Sequence, residues 1–179
     1  MRIIVDGPNN VGKSTFISIM NKYLNLEEVK CSDHSKISRD YFIDVLNKNN
    51  VILDRGPISE LVYSNIYNRE FNLTVSDIDT ILSRCMSNKD DLYIILLSDK
   101  ETLHNNYSLK GEKDFYENND KFIKQELNLF LKYGTSFNCY VIENYTFDKL
   151  NVILNAIFKT LSKWQQSTNR LNKLKQELK

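Results

Sequence analysis

Residues Gly7-Pro8-Asn9-Asn10-Val11-Gly12-Lys13-Ser14 carry the spacing G-x-x-x-x-G-K-[ST]. Those residue types at that spacing suit the binding of a polyphosphate. Glycine lets the backbone curl until successive N–H groups point inward as an anion nest. A helix beginning near Lys13 adds the positive end of its dipole. Lys13 is expected to reach the β- and γ-phosphates, and the Ser14 hydroxyl to hold Mg²⁺. The expected nucleotide-binding set is Gly7, Asn9, Asn10, Val11, Gly12, Lys13, Ser14 and Thr15, with ATP (or GTP) and Mg²⁺ as the implied cofactors.

A second group follows. Glycine and proline are scarce, 5 and 2 in the chain, yet Gly56 and Pro57 sit together after Asp54-Arg55. Unusual backbone freedom is thus concentrated at the phosphate loop and at this turn. Asp54 is placed to bind Mg²⁺ through water or to orient an acceptor. Arg55 is placed to grip an acceptor phosphate or to neutralise the transferring group. The competing reading is an Asp-Arg ion pair capping the next helix. Lys13, Asp54 and Arg55 are the expected catalytic residues, and Ser14 and Asp54 the expected metal ligands.

These groups need a scaffold that brings them together. Arg2–Asp6, Val51–Leu53, Leu92–Leu97 and Cys139–Ile142 read as apolar strands, with a short strand over Glu27–Cys31. Helical spacing begins at Ser14, Ile37, Ile58, Thr74, Phe115 and Leu150. Gly134 reads as the C-cap of the fifth of these helices. Residues 99–114 are polar and lack periodicity. Strands alternating with helices predict an α/β fold, a three-layer α/β/α sandwich with a mostly or wholly parallel five-stranded sheet; the phosphate-loop motif after its first strand makes it the P-loop NTPase type. Functional groups at the carboxyl ends of two strands would then share a crevice.

Composition sets the outer limits. With 179 residues, 41% of them hydrophobic, the chain suits one compact domain. Charges of 24 Lys+Arg against 23 Asp+Glu give no broad basic field, which argues against general nucleic-acid binding without excluding a local patch. Cys31, Cys85 and Cys139 are far apart and read as reduced thiols, not as a zinc site or a disulfide framework. No apolar run reaches membrane-spanning length and no signal peptide is read, so the expected location is the cytoplasm, a host's if the chain is viral. The expected organisation is a domain over 1–164, with a lid at about 100–116, and a polar helical tail over 165–179 that either frays in solvent or docks on a partner. The many dispersed asparagines are read as compositional.

The opening Ile4-Val5-Asp6-Gly7…Gly12-Lys13-Ser14-Thr15 resembles that of thymidylate kinases and deoxynucleoside kinases. Asp54-Arg55, with Ser59 shortly after, resembles their DR motif. Lys110–Glu117, with Phe122 and Tyr133, resembles their lid and the helix after it. Val141–Asn144 resembles the loop that contacts adenine. The resemblance spans roughly residues 1–162. It implies that Lys13 and Ser14 handle ATP-Mg²⁺, that Arg55 contacts the acceptor or its phosphate, and that Asp54 sits near metal and nucleophile. Thymidylate kinases usually carry an arginine in the phosphate loop or lid. Here the loop offers Asn9 and Asn10, and residues 99–125 hold no arginine. Lys110 or Lys113 would supply that charge, without bidentate geometry.

The implied activity is transfer of the γ-phosphate of ATP to a (deoxy)nucleoside monophosphate or a deoxynucleoside. The alternatives are a kinase acting on a polynucleotide end or modified base, and a non-catalytic nucleotide-binding module. Asp33 is the candidate base for a hydroxyl acceptor. Arg39 and Arg69 are candidate clamps for an acceptor phosphate. Tyr41, Phe42, Tyr63 and Tyr67 are candidates to stack on a base. A homodimer through Leu171, Leu174 and Leu178 is a further possibility.

Overall fold

A computed structural model describes residues 1–31, 36–71, 73–85, 91–112, 119–146, 149–150 and 152–159. Two compact units are present, Met1–Thr146 and Phe147–Lys179. In the second, residues 152–159 are helical. The tail over 165–179 lies outside the described residues.

The first unit is built on five strands: β1 (Arg2–Asp6), β2 (Glu27–Lys30), β3 (Val51–Asp54), β4 (Leu92–Leu96) and β5 (Tyr140–Ile142). They lie in the order β2-β3-β1-β4-β5, and every pairing is parallel. The helices between them are α1 (Lys13–Leu24), α2 (Arg39–Asn47), α3 (Pro57–Tyr67), α4 (Val75–Cys85), α5 (Lys100–Leu109) and α6 (Asp120–Ser136). This is the expected three-layer α/β/α architecture.

Central strands are buried on both faces, which is why β4 and the middle of β1, Ile3–Val5, are continuous apolar runs. The edge differs. β2 reads Glu-Glu-Val-Lys and is largely exposed, unlike the buried apolar stretches of β1, β3 and β4. Charged side chains are the usual protection of a sheet edge.

Two expectations are corrected. Residues 99–114 are not irregular: α5 fills 100–109. Asp99 caps it by accepting from the Thr102 N–H at 2.7 Å, and its buried stripe is only two residues, Leu103 and Tyr107. A stripe that short gives almost no periodic signal. Gly134 is not a C-cap either, since α6 runs on to Ser136. A Cβ at position 134 would sit 2.7 Å from the Ile95 Cδ1 and 2.9 Å from the Val141 Cγ2. The glycine permits close packing of α6 on the sheet. The start expected at Phe115 falls partly on 113–118, outside the described residues.

The register of β1 on β3 positions the chemistry. Val5 pairs with Asp54, and the Arg55 N–H donates to the Val5 carbonyl at 3.0 Å. The two glycine-bearing turns therefore leave the sheet side by side at its carboxyl edge.

Candidate active site

The phosphate loop departs from β1 with Gly7 at φ 144°, and its later glycine, Gly12, is at φ 98°. Only glycine fits the first position, because a Cβ there would meet the Leu96 carbonyl oxygen at 2.3 Å. Asn10, at φ 58°, supplies a left-handed residue between them. Gly12 caps α1, whose first turn presents exposed Ser14 and Thr15. Val11 is buried and anchors the loop. This is a nest of backbone amides over a helix N-terminus, the arrangement that holds an anion.

Lys13 lies folded along the loop. Its ammonium donates to the Gly7 carbonyl at 2.8 Å and the Pro8 carbonyl at 2.6 Å. Burial, and then the nearby Arg55 charge, lower its pKa from 10.5 to about 8. An anion in the nest would favour its charged form. The Ser14 hydroxyl donates to the Asp54 carboxylate at 3.4 Å. Two hard oxygen donors this close fit Mg²⁺, which commonly takes one or two protein oxygens and completes its shell with phosphates and water.

Arg55 has φ 77°, a strained conformation for a side chain of this size. It is held there by Asp6. That fully buried carboxylate accepts from the Gly56 N–H at 3.0 Å, the Ser59 N–H at 3.3 Å, the Ser59 hydroxyl and the Tyr93 hydroxyl. The turn is thus fastened to β1 and β4, and Arg55 faces the phosphate loop: Nη2 donates to the Asn9 Oδ1 at 2.7 Å. Its guanidinium also lies 5.0 Å from the centroid of the Tyr63 ring. The Asp54–Arg55 cap is not what forms; the carboxylate turns to Ser14 and the guanidinium to Asn9.

A cavity of about 230 Å³ adjoins Arg55. Asn9, Ser59, Tyr63 and Tyr67 line it, together with Glu60 and Arg69. Arg69 Nη2 donates to the Glu60 Oε2 at 3.2 Å, so this candidate clamp reaches the cavity as half of an ion pair. Tyr63 and Tyr67 stack with centroids 6.1 Å apart. Phe42 is core instead, and Tyr41 contacts the Cys31 thiol at 3.7 Å. Arg39 pairs with Asp40 and Asp77 on the surface and does not line the cavity. Asp33 and Lys113 lie outside the described residues.

The end of α5 and the turn after it bond to the phosphate loop at Asn10. Lys110 donates to the Asn10 Oδ1 at 2.5 Å, the Asn10 amide donates to the Glu112 Oε2 at 2.8 Å, and the Asn106 amide donates to the Asn10 carbonyl at 2.9 Å. Lys110 is therefore beside the phosphate loop, tethered through Asn10.

Several of these residues escape a reading of the sequence. Tyr93 and Glu60 look like ordinary members of a strand and a helix. Glu126 is the most informative omission. It sits on the buried stripe of α6 between Ile123 and Phe130, and a carboxylate at a stripe position is the one available signal.

No protein-family model matches the chain, and no curated protein does. Solved structures do. The YorR protein of Bacillus subtilis, in complex with phosphorylated GDP, superposes with a TM-score of 0.77 at 20% identity, covering 93% of this chain and 98% of its own. The fold is that of the P-loop kinases. A deoxyadenosine kinase from M. mycoides, with products dCMP and a flexible dCDP bound, gives a TM-score of 0.53 at 16% identity over 91% of this chain and 100% of that one. A thymidylate kinase from Candida albicans gives 0.53 at 16% over 92% of each. The resemblance read from the phosphate loop and the DR pair thus holds at the level of the fold, and the choice of acceptor rests on the cavity. Among the described residues, no helix is long and apolar enough to cross a membrane.

Proposed function

We propose that the chain is an ATP-dependent kinase whose acceptor is a small nucleoside-type molecule, a (deoxy)nucleoside monophosphate or a deoxynucleoside. One observation carries the reading: Arg55 is fixed in a strained turn with its guanidinium on the phosphate loop, lining a cavity of about 230 Å³. Backbone strain held by four donors on a buried carboxylate is a common mark of a working site.

In this reading the amides of the phosphate loop bind the triphosphate and Lys13 leaves its two carbonyls to meet the β- and γ-phosphates. Ser14 and Asp54 would hold Mg²⁺ directly or through water, and the bound ion would supply charge neutralisation at the phosphate oxygens. Arg55 stabilises the charge of the group in transfer and grips the acceptor. Lys110, tethered by Asn10, adds positive charge from the lid. Asp33 and Lys113 remain candidates for the acceptor side.

A phosphate acceptor suits the lining best. Transfer to a phosphate needs cationic clamps and no strong base. The Arg55 guanidinium lines the cavity, and the lining carboxylate Glu60 is neutralised by its ion pair with Arg69. The cavity is small even for a small-molecule site. A polynucleotide end would call for an open basic groove.

ATP consumption with Mg²⁺, measured against a panel of nucleosides, nucleoside monophosphates and oligonucleotides, tests the reading. Turnover with a nucleoside monophosphate or deoxynucleoside is expected. Turnover only with oligonucleotides, or ATP binding with no acceptor used, would overturn it.

A further inference from the structure

Glu126 is 1% exposed, on a helix that contributes none of the expected site residues. Its Oε1 accepts from the Asn9 N–H at 3.0 Å and the Tyr63 hydroxyl at 2.5 Å. Its Oε2 is fully enclosed and has no hydrogen-bond partner among the described residues. A buried carboxylate with one oxygen unmet lowers stability, so packing alone does not account for it.

The two donors on Oε1 belong to the two residues that hold Arg55. Asn9 accepts the guanidinium on its side-chain oxygen at 2.7 Å, and the Tyr63 ring lies beneath it at 5.0 Å. Phosphate loop, α3 and α6 thus meet at one oxygen atom, with Arg55 spanning the two arms. Asn9 has an amide bond at the backbone and a carbonyl bond at the side chain. Loss of the first frees the second to swing.

We propose that Glu126 is a positioning residue for Arg55: it fixes Asn9 and Tyr63 so that the guanidinium faces the space beside the phosphate loop. The kinetic consequence rests on the kinase reading above; the structural one does not. Glu126 touches neither nucleotide nor acceptor in this arrangement and acts through Arg55.

The test uses the full chain and the variants E126A and E126Q. Glutamine keeps a carbonyl oxygen for both donors, whereas alanine removes it. The guanidinium NMR signals of Arg55 are assigned by their loss in R55K. Wild type and E126Q are expected to show resolved, slowly exchanging signals, and E126A averaged ones. Wild-type signals in E126A would overturn the proposal. With the acceptor found by the panel, E126A is expected to lower kcat about 100-fold, the scale of a misplaced catalytic group. The KM for ATP should stay within about threefold, and E126Q should recover most of the loss. On an R55A background, E126A should cost no more than about threefold further, since both changes remove one function. Full additivity in that cycle would overturn the proposal. If E126A does not fold, E126D, which withdraws the carboxylate by one methylene, is expected to show the same losses. A wild type inactive toward every acceptor would fail the kinase reading alone, and the NMR comparison would still decide the role of Glu126.

Discussion

At the scale of single residues, Lys13 is the most sensitive element. Its ammonium is buried against two carbonyls and is the charge that would meet the triphosphate. Lys13→Ala is expected to lower turnover by about 10²–10³-fold, the effect of losing one preorganised donor, with the fold kept by circular dichroism. The lysine also sets a pH dependence. It releases its proton at about 8 when folded against 10.5 in the free chain. Between those values the unfolded state holds more protons, so raising the pH across that window favours the folded state. Nucleotide binding needs the charged form and is expected to weaken over the same window. Calorimetric titration with ATP and thermal melts across pH 7–10 should therefore move in opposite directions. Lys13 and Arg55 are legible from sequence because each lies in a short contiguous motif. Glu126 is not, because its partner Asn9 is 117 positions away.

At the scale of elements, local signals served where a helix has a full stripe and a cap, and failed where packing overrides them. Thr74, where helical spacing begins, caps α4: it accepts from the Asp77 N–H at 3.1 Å while Asp77 accepts in return. Gly134 misled because glycine is common both at helix ends and at close contacts. Its neighbours Ile95 and Val141 belong to other strands, so no local pattern distinguishes the two uses. Gly134→Val is expected to lower stability by about 1–3 kcal/mol through overpacking, even though it removes a glycine from a helix interior. A fall in the midpoint of urea unfolding would measure it. The asparagines are not merely compositional either. Among the described residues, six of the seven non-glycine residues at positive φ are asparagine. Asn25 and Asn68 end α1 and α3 in the left-handed region that glycine usually fills. Glycine scarcity made the phosphate loop and the turn after β3 conspicuous, and asparagine took over helix ends such as those of α1 and α3.

At the scale of the molecule, the sheet separates chemistry from anchoring. Asp6, Asp54 and Arg55 gather at the carboxyl ends of β1 and β3. At the opposite ends Arg2 is buried, donating from Nε to the Asp91 Oδ2 at 2.9 Å and from Nη1 to the Leu46 carbonyl at 2.7 Å. Asp91→Ala would strand that guanidinium and is expected to cost about 3–5 kcal/mol. Affinity for a non-hydrolysable ATP analogue, measured well below the melting temperature, should be unaffected. The parallel order was legible because apolar runs alternated with helices. The flank at β2 was harder to read, since its composition answers to solvent rather than to a core.

That flank has a consequence of its own. Among the described residues β2 has a strand on one side only, so its outer amides and carbonyls form a template on which another copy could add and crystallise into ribbons. Glu27, Glu28 and Lys30 make such accretion electrostatically awkward. A chain with valine at those three positions should scatter light and bind amyloid dyes within hours, long before the carboxyl edge of its sheet is disturbed.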